Sequence, residues 1–236
     1  MASFWENLQV DNHEMSVYSS IPEGSGPFPA VLIAHPASGV GEFTQSIADR
    51  LAKAGFVAVA MDLFHRVTED MTADGTAKNA FLDDIQIMAD INTTVDWLRS
   101  HPGIDEDRIG VTGFCMGGRI AWLAAANNPH FKAVAPYYGG NLWAARGGAS
   151  VSPHDQMSSI NCPMLFHFGE VDENPSQDDM KQLDRELTDL GKTHQFYTYP
   201  GADHAFMDFG QPHRYNKDAA DASWPRTLDF FNLHLG

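Results

Sequence analysis

The chain alternates between short runs of apolar residues and longer stretches in which apolar residues recur every three or four positions. The short runs are typical of strands buried on both faces, and the longer spacing is typical of amphipathic helices. The pattern predicts strands at 14–21, 30–34, 56–61, 132–138, 163–168 and 195–199, and helices at 43–54, 83–100, 115–127, 178–190 and 219–235. This alternation predicts an α/β fold, a doubly wound, mostly parallel sheet with helices on both faces. We expect one domain over residues 1–236 and no separate lid domain.

The segment 109–119, IGVTGFCMGGR, carries the strongest chemical signal in the chain. A strand-like run leads into Cys115, which lies between Gly113 and Gly117, and a helical pattern follows. A strand-to-helix turn of this form requires small residues on both sides of a nucleophile, because its backbone is strained and the helix packs closely behind it. The helix N-terminus then favours a thiolate over a thiol. A buried cysteine in a glycine-rich turn is the alternative for an isolated motif, so the hypothesis needs catalytic partners.

Two such partners follow in the chain, each just after a predicted strand. Asp172 lies in the segment GEVDENP and His204 lies in GADHAF. The order nucleophile, acid, histidine at one edge of a parallel sheet is the triad order of one large hydrolase class. In that role His204 shares the Cys115 proton, Asp172 orients the imidazole, and the thiolate attacks an acyl carbonyl. The acids near Asp172 and His204 remain alternatives for the orienting role: Glu170, Glu173 and Asp203.

These segments resemble the dienelactone hydrolase family, the cysteine branch of the α/β-hydrolase fold. The resemblance covers nearly the whole chain and includes VLIAHPASGVGE, VAVAMDLFHR, GFCMGG, AVAPYYGG, LFHFGEVDENP and YPGADHAF. It implies hydrolysis of ester or lactone bonds through a triad of Cys115, Asp172 and His204 and an acyl-enzyme intermediate. It also implies that the backbone N–H groups of Ala37 and Met116 form the oxyanion hole, which stabilises the tetrahedral intermediate.

The chain departs from the family pattern at two places that concern the substrate. Pro36 stands where dienelactone-cleaving members carry an activating glutamate, and Glu42 is the one nearby candidate to replace it. Asp208 stands four residues after the histidine, where those members carry an arginine that binds the substrate carboxylate. The remaining cations predicted near the cleft are Arg66 and Lys78. Because a carboxylate at Asp208 repels an anionic substrate, we expect a neutral ester or lactone to be preferred to dienelactone.

Long irregular stretches and aromatic residues are the candidates for shaping the substrate pocket. The two longest irregular stretches identified in the pattern are 63–80 and 139–161. Aromatic residues near the predicted strand ends are expected to line the pocket or to belong to the core: Tyr137, Tyr138, Trp143 and Phe206. With Arg66, the last three form the predicted substrate-binding set.

Composition narrows the class of protein without naming its substrate. The 31 acidic and 15 basic residues give a net charge of −16, which disfavours nucleic acid and anionic membranes as partners. The expected partner is a small-molecule ester or lactone, bound by a monomer or homodimer. No metal-ligand spacing occurs, so we predict no metal and no other cofactor. Two cysteines and no apolar leader segment predict a cytoplasmic protein without a disulfide framework.

Two other functions are compatible with the same motifs. An acyltransferase or thioesterase would use the same triad but pass the acyl group to a different acceptor or take it from a thioester. A noncatalytic binding protein of this fold could retain the cysteine turn by descent. Product analysis with added alcohol or thiol separates the first from a hydrolase, and thiol reactivity helps to separate the second.

Overall fold

A computed structural model describes residues 1–236 and contains one eight-stranded sheet. The strands are β1 (Ala2–Val10), β2 (His13–Ile21), β3 (Phe28–Ala34), β4 (Val57–Met61), β5 (Ile104–Phe114), β6 (Phe131–Tyr137), β7 (Met164–Gly169) and β8 (His194–Tyr199). Their spatial order is β1-β2-β4-β3-β5-β6-β7-β8. The pairs from β4 to β8 are parallel, and β1 and β2 pair antiparallel at one edge. The predicted α/β class is confirmed.

Four α-helices connect strands, and a fifth follows the last strand. They are α1 (Glu42–Lys53), α2 (Asp84–Ser100), α3 (Met116–Asn127), α4 (Gln177–Asp189) and α5 (Lys217–Leu235). Each begins and ends within two residues of its predicted bounds, and polar side chains cap the start of α2, α4 and α5. At α2, for example, the Asp83 carboxylate accepts hydrogen bonds from the backbone N–H groups of Ile85 and Gln86. No helix has both the length and the apolar character needed to cross a bilayer.

The apolar runs of the central strands are explained by cores on both faces of the sheet. In β3, Leu32 packs into a core with residues of α2, α3 and α4, whereas Val31 and Ile33 pack into a core with residues of α1 and α5. All three side chains are fully buried. A strand covered on both sides has no polar face, so it reads as a continuous apolar run.

The first strand was not predicted. Residues 2–10 pair along their whole length with β2, and the connecting residues Asp11 and Asn12 both have positive φ, at 48° and 65°. Two residues with positive φ are the signature of a tight hairpin turn, and Asp and Asn tolerate this conformation better than other side chains. The mostly exposed β1 lacks the apolar run that marks the buried strands.

Candidate active site

Cys115 occupies the turn between β5 and α3. Its φ is 57° and its ψ is −119°, and its backbone N–H donates to the carbonyl of Tyr137 at 3.1 Å. A Cβ added at Gly113 would overlap the Gly117 carbonyl, and one added at Gly117 would overlap the carbonyl of Ala34 on β3. Glycine is therefore required at both positions so that α3 can lie close to the sheet. The turn holds the cysteine at the carboxyl edge of the strands.

The loops after β7 and β8 bring Asp172 and His204 to the same edge. Oδ2 of Asp172 lies 3.0 Å from Nδ1 of His204, and its other oxygen accepts the Asn174 backbone N–H at 2.8 Å. His204 and Cys115 line the same cavity, and each acts on the pKa of the other. Asp172 is buried and hydrogen-bonds to the imidazole. The structure thus brings the three predicted triad residues together at one edge of the sheet.

The other acids near the triad face elsewhere. Glu170 accepts the backbone N–H of Gly201 at 2.8 Å and is exposed. Asp203 accepts the backbone N–H of His204 at 2.6 Å, which is a local turn contact, and Glu173 is exposed. None of these carboxylates contacts the imidazole ring. Asp172 is the acid in position to orient His204.

The electrostatics of the pair favour a thiolate beside an imidazolium. Burial alone raises the pKa of the Cys115 thiol, but the hydrogen bond and charge of His204, together with the backbone N–H groups of Met116 and Ala37, lower this pKa overall. Burial likewise opposes the charge on His204, yet Asp172 and Cys115 raise the pKa of its imidazole to about 10. Each group therefore stabilises the ionised form of the other.

Two backbone N–H groups lie close enough to the Cys115 sulfur to lower its pKa. They belong to Met116, at the start of α3, and Ala37, in the loop after β3. The buried His35 holds the second loop: its Nδ1–H donates to the carbonyl of Pro36 at 2.6 Å, and its Nε2 accepts the Leu63 N–H at 3.0 Å. Burial lowers the pKa of His35, which keeps it neutral. The two predicted oxyanion donors thus lie beside the Cys115 sulfur.

A cavity of about 150 Å³ opens beside the sulfur. Its walls are formed by residues 36–38, Phe43, Tyr138 and side chains from the segment 204–214. Tyr138 was predicted to line the pocket, and the structure brings it there. The other predicted aromatic residues lie outside: Phe206 is fully buried behind Tyr138, with 5.1 Å between ring centroids, and Trp143 is partly exposed and stacks on His154.

The structure does not bring Arg66 or Lys78 to this cavity. Arg66 forms ion pairs with the buried Asp90 at 2.8 Å and with Asp11 at 3.2 Å, so its charge is already neutralised beside the β1–β2 hairpin. Lys78 is exposed and lies 5.9 Å from the ring centre of Phe64. The sequence-based expectation for Arg66 is therefore corrected. Its partner Asp90 lies on α2, and nothing in the sequence indicated that these two residues form an ion pair.

Neither of the two long stretches expected to shape the pocket lines this cavity. Segment 139–161 packs against α2 and α3. The Arg119 side chain donates to the carbonyls of Asn141 and Ala144, and the Asp83 carboxylate accepts the Gly148 N–H. Segment 63–80 lies beyond His35. Glu42 is exposed in the first turn of α1 and does not reach Cys115.

The segment between β8 and α5, residues 200–216, forms much of the cavity wall, and this role was missed. It contributes Asp208, Gln211 and Arg214. Asp208 is 5% exposed and accepts hydrogen bonds from the Gly210 N–H and the Gln211 side chain, but it forms no ion pair. Arg214 also forms no ion pair, although it lines this cavity and the adjoining acidic cleft. The available signal was the length of the irregular stretch that follows His204.

No group of three or more His, Cys, Asp or Glu side chains is arranged to hold a metal ion. The chemical groups gathered at the cavity are the Cys115 thiol, the His204 imidazole held by Asp172, and two backbone N–H groups. Groups of these types are the ones that acyl transfer requires.

The chain is similar to known proteins over nearly its whole length. A family model described as "Dienelactone hydrolase family" matches residues 15–235. A Methylorubrum extorquens protein described as "Putative carboxymethylenebutenolidase" is 32% identical over 96% of this chain and 79% of its own length. A Bradyrhizobium protein described as "Probable 2-oxo-3-(5-oxofuran-2-ylidene)propanoate lactonase" is 29% identical over 100% of this chain and 96% of its own length.

A solved structure shows the same likeness. The crystal structure described as "Putative Dienelactone Hydrolase" from Klebsiella pneumoniae has a TM-score of 0.86 and 30% identity, and the match covers 98% of this chain and 99% of that chain. The likeness therefore extends over the whole fold and includes the strands and loops that carry the cavity. The resemblance predicted from the motifs is confirmed: this chain belongs to the dienelactone hydrolase family.

Proposed function

We propose that this enzyme hydrolyses esters or lactones through a Cys115–His204–Asp172 triad and a thioester acyl-enzyme. The observation that carries the proposal is the pair formed by a thiol of lowered pKa and an imidazole of raised pKa, beside two backbone N–H donors. Family membership supports the hydrolase class, and the geometry supports these residues as the reacting groups.

Acylation begins with the Cys115 thiolate. The sulfur attacks the substrate carbonyl carbon, a C–S bond forms, and the carbonyl electrons move to the oxygen, which the N–H groups of Ala37 and Met116 stabilise. Collapse of this tetrahedral intermediate breaks the bond to the leaving oxygen. His204 gives its proton to that oxygen, which leaves a neutral imidazole still oriented by Asp172.

Deacylation reverses the direction of proton transfer. Neutral His204 removes a proton from water as the water oxygen attacks the thioester carbon. The C–S bond then breaks, the carboxylic acid is released, and Cys115 returns as a thiolate beside the imidazolium. For a lactone, the alcohol and the acid leave together as a single hydroxy acid.

The charges lining the cavity support a neutral, polar substrate. Asp208 and Arg214 carry opposite charges and both line the cavity. Asp208 is buried whereas Arg214 is partly exposed, so water screens the Asp208 carboxylate less and a substrate carboxylate is repelled. We therefore propose simple esters and neutral lactones as better substrates than dienelactone. The name of the Bradyrhizobium relative supports lactones as a substrate class, although the lactone that it names is a propanoate and therefore carries a carboxylate.

Activity of cysteine variants tests the proposal directly. Cys115→Ala should abolish hydrolysis of p-nitrophenyl acetate and butyrate, whereas Cys162→Ala should retain it, because Cys162 is buried away from the cavity. Mass spectrometry of rapidly quenched wild type should locate the acyl group on Cys115. Full activity of Cys115→Ala would refute the triad, and assays with dienelactone in parallel would test the substrate preference.

A further inference from the structure

Tyr138 lines the active-site cavity, and its hydroxyl group is buried without a well-formed hydrogen bond. The residue is 1% exposed, and the one polar group that acts on the phenol oxygen is the backbone N–H of Met207, so the phenol O–H has no acceptor. A buried phenol O–H without an acceptor costs about 1–3 kcal/mol of folding free energy. Native proteins rarely keep such a group without a use for it.

The backbone at this residue is also in an unfavourable conformation. The φ of Tyr138 is 39°, in the left-handed region that favours glycine. Gly139, the next residue, lies against Gly118 of α3, so the chain has little freedom to relax. Strain of this kind is concentrated at sites where a side chain must be aimed.

The ring of Tyr138 lies beside the reacting groups. Tyr138 lines the cavity together with Cys115, His204 and Asp208, and its ring centre lies 5.2 Å from that of His204. Phe206 packs against the ring with a centroid distance of 5.1 Å and fixes its orientation. The phenol therefore belongs to the same wall of the cavity as the imidazole.

The protonation state of the phenol is that of a hydrogen-bond donor. Burial raises the pKa of Tyr138 well above its ordinary value, and the negative charges of Cys115 and Asp208 raise it further. The phenol thus stays protonated through the working range of the enzyme and does not act as a base. It offers one O–H group to an acceptor on a bound substrate.

We propose that Tyr138 is a further catalytic residue that hydrogen-bonds to the leaving oxygen of the substrate during acylation. This inference rests on the proposed thiol mechanism. The carbonyl oxygen already has hydrogen-bond donors in the backbone N–H groups of Ala37 and Met116. The leaving oxygen lies beside His204, and Tyr138 is adjacent to His204 in the cavity wall. His204 transfers its proton to the leaving oxygen as the C–O bond breaks, and Tyr138 keeps its own proton throughout.

The test measures how strongly the rate depends on the leaving group. The substrates are phenyl acetate, whose phenolate is a poor leaving group, and p-nitrophenyl acetate, whose phenolate leaves readily. For Tyr138→Phe, kcat/KM should fall about tenfold or more with phenyl acetate and less than about twofold with p-nitrophenyl acetate. The kcat/KM ratio reports acylation even when deacylation limits kcat.

Tyr137 offers a matched control one residue away. Its hydroxyl is buried in the core and hydrogen-bonds to the hydroxyl of Thr227 at 2.6 Å. Tyr137→Phe should lower the melting temperature and leave the ratio of the two kcat/KM values at its wild-type level. Tyr138→Phe should fold with a melting temperature equal to or above that of wild type, because it removes an unpaired polar group.

The outcomes separate this inference from the proposed function. Equal loss on both substrates, no loss on either, or a lowered melting temperature of Tyr138→Phe would overturn the role of the phenol. If Tyr138→Phe gives one of these results and Cys115→Ala is inactive in the same assays, the role of the phenol fails but the thiol mechanism stands. If Cys115→Ala remains active, the mechanism itself fails.

Discussion

At the residue scale, the cysteine and histidine of the cavity are best understood as one ionisable pair. His204 lowers the pKa of the Cys115 thiol, and the thiolate in turn raises the pKa of the imidazole. Asp172 supports the positive charge from a buried position 3.0 Å away. This pair forms with Pro36, which carries no charge, in the adjoining wall of the cavity.

The rate of alkylation should reveal the ionised pair. The thiolate fraction rises with pH through the lowered pKa of Cys115, so reaction with iodoacetamide should reach half its maximum below pH of about 8.5, the value for free cysteine. Asp172→Asn removes the carboxylate that stabilises the imidazolium and should move this midpoint upward. Burial raises the pKa of Cys162 to about 11, so the second thiol reacts little in this range. A wild-type midpoint at or above that of free cysteine would contradict the ion pair.

The carboxylate of Asp208 should discriminate against anionic substrates. Asp208→Asn keeps the size of the side chain and an acceptor for the Gly210 N–H, and it removes the negative charge. We expect kcat/KM for dienelactone to rise about tenfold, with little change for p-nitrophenyl acetate. Steady-state kinetics with both substrates provide the check. An equal change on both would mean that the charge does not select between them.

At the scale of elements, the parts of the fold that sequence predicted are those governed by local pattern. Buried strands such as β3 appear as apolar runs because both faces are covered, and the cysteine turn appears because its glycines are required by close packing. The sequence did not predict that residues 200–216 line the cavity, because the path of this segment depends on contacts between residues that are not neighbours in the chain. One example is the hydrogen bond from the Asn216 N–H to the Phe206 carbonyl, ten residues earlier in the same segment.

A buried ion pair links α3 to α2 and to segment 139–161. Arg119, four residues after Cys115, forms two hydrogen bonds with the carboxylate of Asp84, at 2.7 and 2.8 Å, and both side chains are buried. Asp84→Asn should lower the free energy of unfolding by about 3 kcal/mol, because it leaves the guanidinium charge without a partner. The neighbouring cap variant Asp83→Asn should lose less than about 1 kcal/mol. Urea denaturation of both variants tests this, and equal losses would argue against a special role for the pair.

At the scale of the whole molecule, the excess of acidic residues dominates the electrostatics. A net charge of −16 makes the folded state repel itself more than the expanded unfolded chain does. Several surface ion pairs, such as Arg99 with Glu106, oppose this repulsion only locally. The exposed edge strand β1 presents Phe4 and Trp5 beside these charges. Repulsion between like-charged molecules then helps to keep this edge from pairing with another chain.

Salt should therefore stabilise the protein. Raising NaCl from about 10 mM to about 150 mM shortens the screening distance from about 30 Å to about 8 Å and weakens the long-range repulsion. We expect the melting temperature to increase over this range. Differential scanning calorimetry at the two concentrations measures the effect, with potassium chloride as a control for specific sodium binding. A decrease would indicate that surface ion pairs contribute more than the net charge.

The backbone conformations around the cavity have a consequence for how its specificity can change. Cys115, Tyr138 and Ala205 all line the cavity and all have positive φ, at 57°, 39° and 63°. Branched or bulkier replacements at these positions would add to strain that is already present. Asp208, Gln211 and Arg214 line the same cavity with ordinary φ values. New substrate preferences should therefore arise through exchange at these unstrained positions, both in evolution and in laboratory selection, while Cys115, Tyr138 and Ala205 stay as they are.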